Sequence, residues 1–461
     1  MNVFDSNSAL LVDLYELTMS AGYFRHKYNP TVTFELFARY LPENRNYLIA
    51  AGIEDAINYV INLRFNDEEI AYLKSLKQFK NVDGEFFEYL RKFKFSGNIY
   101  AVKEGEIVFS NEPILQIEAP LMEAQILETY LLTAVNFQTS VASKASRIVQ
   151  AACGDGKFRG IMEFGSRRAH GPQAGVLAAR ASYIAGCIGT SNVYAGYKYG
   201  IPVYGTAAHS WTLAFETELE AFKKYSEVFP TGSIYLIDTY NTIEGAKNAT
   251  RTGYKFAGVR IDSGDLLQNS KKVREILDGN GFESAKIIAS GDLNEYKIEN
   301  LVKNKAPIDS FGVGTQLSTS ADAPSITVVY KLVEVSENNH KIFKAKFSPE
   351  KQTYPGRKQI YRIEENGFFK KDFIDLANGE SKTDGNKLLI QWVKNGEQVA
   401  GFPDLEKTKI YARENLKKLP GKYFDLYKKV NYPVEFSENL KQILEKVKAK
   451  YFNVNKRGEK K

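Results

Sequence analysis

Seven short stretches of this chain gather arginine, aspartate, histidine or hydroxyl side chains, six of them with glycine, each just after a run of apolar residues. The densest is Gly205-Thr206-Ala207-Ala208-His209-Ser210-Trp211, which follows Ile201 to Tyr204. Small residues let the backbone turn tightly and let a ligand approach the chain. Histidine occurs only four times, at 26, 170, 209 and 340, so one placed beside Thr206 and Ser210 at a strand end is informative. A hydrogen-bonded core histidine is the plain alternative. The other stretches contribute Phe164, Gly165, Arg167, Arg168 and His170; Gly189 to Asn192 with Ser191; Asp238; Arg260, Asp262, Gly264 and Asp265; Gly291 and Asp292; and Gly312, Gly314 and Thr315. Arginine forks and exposed N–H groups at Gly/Thr turns suit phosphate. Aspartates on the same rim suit Mg²⁺, which takes carboxylates together with substrate phosphates. A phosphorylated or pyrophosphorylated substrate with Mg²⁺ follows. Any one Arg–Asp pair could be a structural salt bridge; seven clusters on one rim favour a site.

The elements that must position these side chains are strands alternating with helices over about 131–340. That rhythm implies parallel pairing with right-handed crossovers. Every cluster falls at the C-terminal end of its strand, so the expected fold class is α/β, an irregular TIM-like barrel of about seven strands. A doubly wound open sheet competes, but it concentrates its site at one switch point. Helical faces are expected from Val273, Ile276 and Leu277 and from Ile298, Leu301 and Val302, the second opened by an Asp292/Glu295 capping box. Residues 1–130 read as an α+β layer: a helix over 8–24 with Leu10, Leu14 and Leu17 on one face and Tyr15 at its rim, a half-buried strand with Val32, Phe34 and Leu36 inward, and helical segments over 66–94. Leu121 to Ala152 reads as one long helix. Residues 341–461 form a C-terminal region packing on the other two, rich in hairpin signals (Pro355-Gly356, Asn366-Gly367, Asp384-Gly385, Asn395-Gly396), with a charged helix from Ser437 to Lys450.

Composition excludes several classes. The 461 residues are 43% hydrophobic and 25% charged, enough apolar material for a large core. A net charge of +7 owes much to a basic tail (Lys446, Lys448, Lys450, Lys456, Arg457, Lys460, Lys461), read as a solvated end rather than a nucleic-acid contact. Cys153 and Cys187 make no disulfide framework and lack metal-ligand spacing. The opening Met1 to Ser6 shows no signal peptide, and no apolar run is long enough to span a membrane. A soluble, cytoplasmic protein is expected. No phosphate loop, Gly-x-Gly-x-x-Gly fingerprint or zinc motif occurs, and adjacent His209 and Ser210 cannot act as a hydrolase triad.

Five stretches in order, Leu11 to Met19, Glu163 to Gly171, Gly205 to Trp211, Val259 to Asp265 and Phe311 to Thr315, closely resemble nicotinate phosphoribosyltransferase, of the type II phosphoribosyltransferase family. The resemblance implies transfer of phosphoribosyl from 5-phosphoribosyl 1-pyrophosphate to nicotinate, giving nicotinate mononucleotide and pyrophosphate for NAD biosynthesis. It also implies coupled ATP hydrolysis through a phosphorylated His209, and a homodimer with shared active sites. Arg260 matches the residue that holds the pyridine carboxylate, and Phe164 and Tyr15 from a partner subunit match those that sandwich the ring. Asp238 and Asp262 match carboxylates near Mg²⁺ and the ribose. Arg167, Gly291, Asp292, Gly314 and Thr315 match positions around ribose and phosphates; Arg168, Thr206, Ser210 and Asp265 join them as substrate-binding candidates on the rim. Lacking a phosphate loop, the chain must bring ATP to the same rim. A nicotinamide enzyme resembles a pattern with Asp where this chain has Ser191. A quinolinate enzyme would need more basic residues, and a basic nucleic-acid-binding protein would leave the strand-end clusters unexplained.

Overall fold

The computed structural model describes residues 8–338, 340–348, 351–379 and 384–458, the last of these beyond Tyr451 by backbone alone. Met1 to Ser6 and the tail side chains of Lys456, Arg457, Lys460 and Lys461 lie outside the described residues. The chain forms two compact units: residues through Thr139 with Ser325–Tyr423 and those from Lys429 on, and Ser140–Pro324 with Phe424–Lys428. Most of the expected C-terminal region, 341–461, is therefore part of the first unit rather than a third body.

In the first unit a seven-stranded antiparallel sheet runs, in spatial order, His340–Phe343, Val328–Glu337, Thr31–Ala38, Pro113–Pro120, Asn98–Ala101, Ile390–Lys394, Glu397–Gln398. Two late segments, Ile390–Lys394 and Glu397–Gln398, complete one edge of this sheet. Thr31–Ala38 alternates in sequence as a half-buried strand does, yet seven of its eight residues are buried. Its polar positions are covered too: Glu35 meets Lys358 Nζ at 3.0 Å and Gln116 Nε2 at 2.9 Å. The expected helix over 8–24 starts only at Leu14 and runs to Arg25. Before it, Glu69 accepts from the Ser8 hydroxyl (2.6 Å) and the Ala9 N–H (3.1 Å), holding that segment out of the helix. The helix buries Glu16, Leu17, Ser20 and Ala21 instead of a leucine stripe, and Tyr15 stays exposed. Asn366-Gly367 and Asn395-Gly396 close hairpins with both residues at positive φ, as two-residue turns of the mirror-image type require.

The long pattern from Leu121 to Ala152 divides into Leu121–Gln125 and Glu128–Ala152, and the second helix carries the chain from one unit into the other. The second unit holds a six-stranded parallel sheet in the order Gly189–Thr190, Gly160–Glu163, Ser310–Val313, Lys286–Ala289, Gly258–Ile261, Ile234–Leu236. The seventh expected strand, ending at Tyr204, is reduced to a single parallel bridge of Val203 to Thr190. Pro202 there has no N–H to give, so only its carbonyl pairs, with Thr190 N–H at 3.0 Å. Six strands and one bridge replace the seven expected. Helices intervene as anticipated, with Val273 and Leu277 buried, and Ile298, Leu301 and Val302 buried. Asp292 is not a cap: Asn294 caps Glu295–Lys303, and Asp292 sits at φ +45° in the loop before it.

Candidate active site

The carboxyl ends of the parallel strands converge on Arg260, near the end of Gly258–Ile261. Its Nε donates to Ser290 Oγ (2.8 Å), one terminal nitrogen to Thr206 Oγ1 (2.9 Å) and the other to Asp262 Oδ1 (2.7 Å). A guanidinium carries five N–H groups, so one remains on each terminal nitrogen for a ligand. The Phe164 ring lies 5.8 Å from the guanidinium carbon, within cation–π range. Gly312 permits this: a Cβ there would stand 2.4 Å from the Phe164 ring. The Phe164 N–H is fixed on Val313 O at 2.8 Å.

Asp262 is the hub. Its Oδ1 also accepts from Ser290 Oγ (2.5 Å), and its Oδ2 lies 3.9 Å from His209 Nε2. Burial opposes ionisation, but the Ser290 hydrogen bond and the Arg260 and His209 charges outweigh it and hold the carboxyl below its usual value. Gly291 admits this packing, since a Cβ at its φ of +92° would meet Asp262 O at 1.9 Å. Asp238 Oδ2 accepts from the Asp262 N–H (2.9 Å) and the Ser263 hydroxyl (2.6 Å), while its Oδ1 is buried without a hydrogen-bond partner. His209 opens a short helix, His209–Leu213, with Nδ1 3.1 Å from Thr239 Oγ1 and 42% of its side chain exposed.

Residues outside the sequence-based set hold the rim in place. Glu163, fully buried, accepts from the Thr190 hydroxyl (2.6 Å) and the Gly165 N–H, tying two strand ends together. Burial pushes its carboxyl above the usual range, with those two hydrogen bonds pulling the other way. Ser290 and Thr239 lie within clusters visible in the sequence.

The structure gathers Phe164, Thr206, His209, Asp238, Arg260 and Asp262 directly. Ser191 stands at the end of Gly189–Thr190, its N–H on Glu163 O at 2.9 Å. Arg167 and Arg168 are exposed, and neither has an acidic partner among the described residues. Asp292, Gly314 and Thr315 border their strand ends without joining the Arg260 network. Asp265 caps Leu266–Asp278 through the Gln268 N–H (3.0 Å), and Ser210 is exposed with no hydrogen bond from its hydroxyl. Tyr15 belongs to the other unit, where its phenol meets Glu128; burial and the neighbouring acids push its pKa up.

Such a rim places the chain among α/β enzymes that hold anionic ligands at the carboxyl ends of parallel strands. Comparison with known proteins narrows the class. Family models described as the nicotinate phosphoribosyltransferase N-terminal domain, the nicotinate phosphoribosyltransferase family and the nicotinate phosphoribosyltransferase C-terminal domain match residues 10–136, 160–366 and 380–444. Nicotinate phosphoribosyltransferase of Mycobacterium tuberculosis is 40% identical over 440 residues, covering 94% of this chain and 92% of the relative. That of Bacillus subtilis is 40% identical over 469 residues, covering 94% of each. The crystal structure of human nicotinic acid phosphoribosyltransferase superposes with a TM-score of 0.83 at 26% identity, covering 94% of this chain and 99% of that one. The chain belongs to the nicotinate phosphoribosyltransferase family.

Proposed function

We propose that this chain transfers phosphoribosyl from 5-phosphoribosyl 1-pyrophosphate to the ring nitrogen of nicotinate, forming nicotinate mononucleotide and pyrophosphate in NAD biosynthesis. The observation that carries the reading is Arg260, held by three side chains with two N–H groups left over, beside the flat face of Phe164. A planar carboxylate fits the free edge of the fork and a flat heterocycle fits the ring. Ser191, at the end of Gly189–Thr190, adds no negative charge to the rim, which favours nicotinate over nicotinamide.

As pyrophosphate leaves C1 of the ribose, positive charge develops there and the ring nitrogen closes on the same carbon. Asp262 and Asp238 supply negative charge at that rim, and Arg167 and Arg168, without acidic partners, suit the phosphates. Gly291, Asp292, Gly314 and Thr315 line the remaining strand ends for ribose and 5′-phosphate. Mg²⁺ fits this donor set. Among the described residues no three His, Cys, Asp or Glu side chains are arranged to hold a metal, and Mg²⁺ takes one or two carboxylates with substrate phosphates. Asp238, with a buried and unpartnered Oδ1, and Asp262 would hold it. When bound it supplies the positive charge that leaving pyrophosphate needs.

ATP hydrolysis couples to transfer through His209. With the Nδ1–H donating a hydrogen bond to Thr239 Oγ1, the Nε2 lone pair is free for the γ-phosphorus of ATP; the N–P bond forms as the bond to the ADP oxygen breaks, and water later cleaves the N–P bond and releases phosphate. His209→Ala should abolish ATP hydrolysis and ATP stimulation while slow transfer persists. The check is nicotinate mononucleotide and ADP formation measured side by side, and a His209→Ala enzyme that still couples the two defeats the assignment.

The supporting fold reads as an irregular barrel. Around the sheet, strands follow chain order and the first pairs with the last; the unpaired interval falls between Val203 and Ile234. The protein acts as a homodimer in which Tyr15 closes the ring pocket of a partner subunit, supported by its 45% exposure in the unit that lacks Phe164. Heterodimers of Tyr15→Ala and Arg260→Ala chains should then regain activity at one of their two sites; inactive verified heterodimers would exclude sharing. Two free cysteines suit a cytoplasmic enzyme. Among the described residues no helix is long and apolar enough to cross a membrane.

A further inference from the structure

Tyr15 leaves the chain at a helix start that little else holds. Leu14 and Tyr15 are both exposed, so apolar packing fixes neither. Asp13, at the capping position of Leu14–Arg25, makes no capping hydrogen bond through its side chain. A residue of another helix takes the place of both. The Asp13 N–H donates to Thr129 Oγ1 at 3.2 Å, and the Thr129 hydroxyl donates in turn to Glu16 Oε1. The same Glu16 oxygen accepts the Thr129 N–H at 3.1 Å, a first-turn donor that its own helix cannot satisfy. Tyr15 therefore stands between two residues that a single threonine grips. Thr129 has a firm footing: it lies in the first turn of Glu128–Ala152, and the next residue, Tyr130, stacks on buried Tyr59 with ring centroids 3.5 Å apart. Glu16, on the other side, is fully buried.

We propose that Thr129 is a positioning residue for nicotinate: its hydroxyl, held between the Asp13 N–H and Glu16, fixes the helix start that presents the Tyr15 ring to the pyridine. This rests on the ring-pocket reading of Tyr15 above and adds the residue that holds the ring in place. Stacked rings attract within a limited range of offset and tilt, so a first turn free to fray would lose part of the contact. The competing arrangement is a latch between two helices that matters to folding alone.

Steady-state kinetics of the full-length enzyme separate the two. Tyr15→Ala should raise KM for nicotinate roughly tenfold or more, through loss of an aromatic contact and the area it buries. Thr129→Val has nearly the same shape without the hydroxyl. It should raise KM for nicotinate roughly three- to fivefold, a part of that contact, with kcat and KM for 5-phosphoribosyl 1-pyrophosphate unchanged, since only ring binding is loosened. Thr129→Ser keeps the hydroxyl and should match the wild type. Added to Tyr15→Ala, Thr129→Val should have no further effect on KM for nicotinate. Glu16→Met removes the acceptor on the other side and should act in the same direction, a second variant should Thr129→Val fold poorly. Wild-type KM for nicotinate in Thr129→Val and Glu16→Met, with that of Tyr15→Ala raised, overturns the role of Thr129 alone. So does a Thr129→Val effect as large on the Tyr15→Ala background as on the wild type, which is the mark of a latch. Wild-type KM for nicotinate in Tyr15→Ala overturns the ring-pocket reading as well.

Discussion

Arg362 and Arg260 are the same residue type, each beside carboxylates and a phenylalanine ring, and they serve opposite ends. Arg362, in the first unit, is 2% exposed and donates to both oxygens of Asp372, to Glu106 and to Ile107 O. Phe369 lies 4.5 Å from its guanidinium, and Tyr411 and Asn415 complete Glu106. No donor is left facing solvent. Arg260, 13% exposed, is held just as firmly by Ser290, Thr206 and Asp262, but its fork has spare N–H groups and its neighbours include an unpartnered Asp238 oxygen and an exposed His209. A charge cluster closed off from solvent is architecture; one that leaves spare donors facing an opening is a site. Residue type does not separate the two. Whether the spare groups can reach solvent does.

Breaking each cluster should therefore cost different things. The largest loss of stability is expected from Arg362→Ala, about 3–5 kcal/mol, because Glu106 and Asp372 would stay buried without their cation. Urea unfolding of the two variants side by side provides the check: Arg260→Ala should lose clearly less stability, and an equal loss would erase the distinction drawn here.

A smaller contrast lies in pH dependence. Burial raises the Glu16 carboxyl to about 7, the Thr129 hydroxyl and N–H working against that shift and the Glu128 charge adding to it. Its folded-state pKa exceeds the unfolded one, so the folded chain holds the extra proton, and the stability this contributes is full below about 4.5 and lost as pH rises through about 7. Asp262 has the opposite sign: its depressed pKa contributes stability above the unfolded value that is lost as pH falls. Glu16→Gln should flatten the decline of the unfolding midpoint between pH 5 and pH 8. A slope identical to that of the wild type would mean that Glu16 titrates normally.

Local patterns were legible in the sequence to the extent that their causes are local. Glycine and polar residues after an apolar run mark a parallel strand's end, and the rim could be inventoried from that alone. Asn366-Gly367 and Asn395-Gly396 declared their hairpins because only such pairs accept two positive φ values cheaply. What failed depended on distant partners. The helix over 8–24 shortened because Glu69 claims Ser8 and Ala9, and Thr31–Ala38 is buried on both faces because Lys358 arrives to neutralise Glu35. The loop of Asp292 takes a left-handed conformation rather than the extended one from which a capping side chain reaches the helix N–H groups, and Asn294, which is extended, is the cap. In the site, Arg260 could be nominated, but its three holders come from three separate segments, and Glu163 acts through hydrogen bonds that spacing does not reveal.

The most direct measurement is the ratio of kcat/KM for nicotinate to that for nicotinamide, in the wild type, in Arg260→Gln and in Ser191→Asp. The account expects a wild-type preference for nicotinate worth about 2–5 kcal/mol, the range for a desolvated charge pair. It expects most of that preference to vanish in Arg260→Gln, and Ser191→Asp to weaken nicotinate use selectively through like-charge repulsion. A wild-type enzyme that prefers nicotinamide, or an Arg260→Gln enzyme that discriminates as well as the wild type, would contradict it.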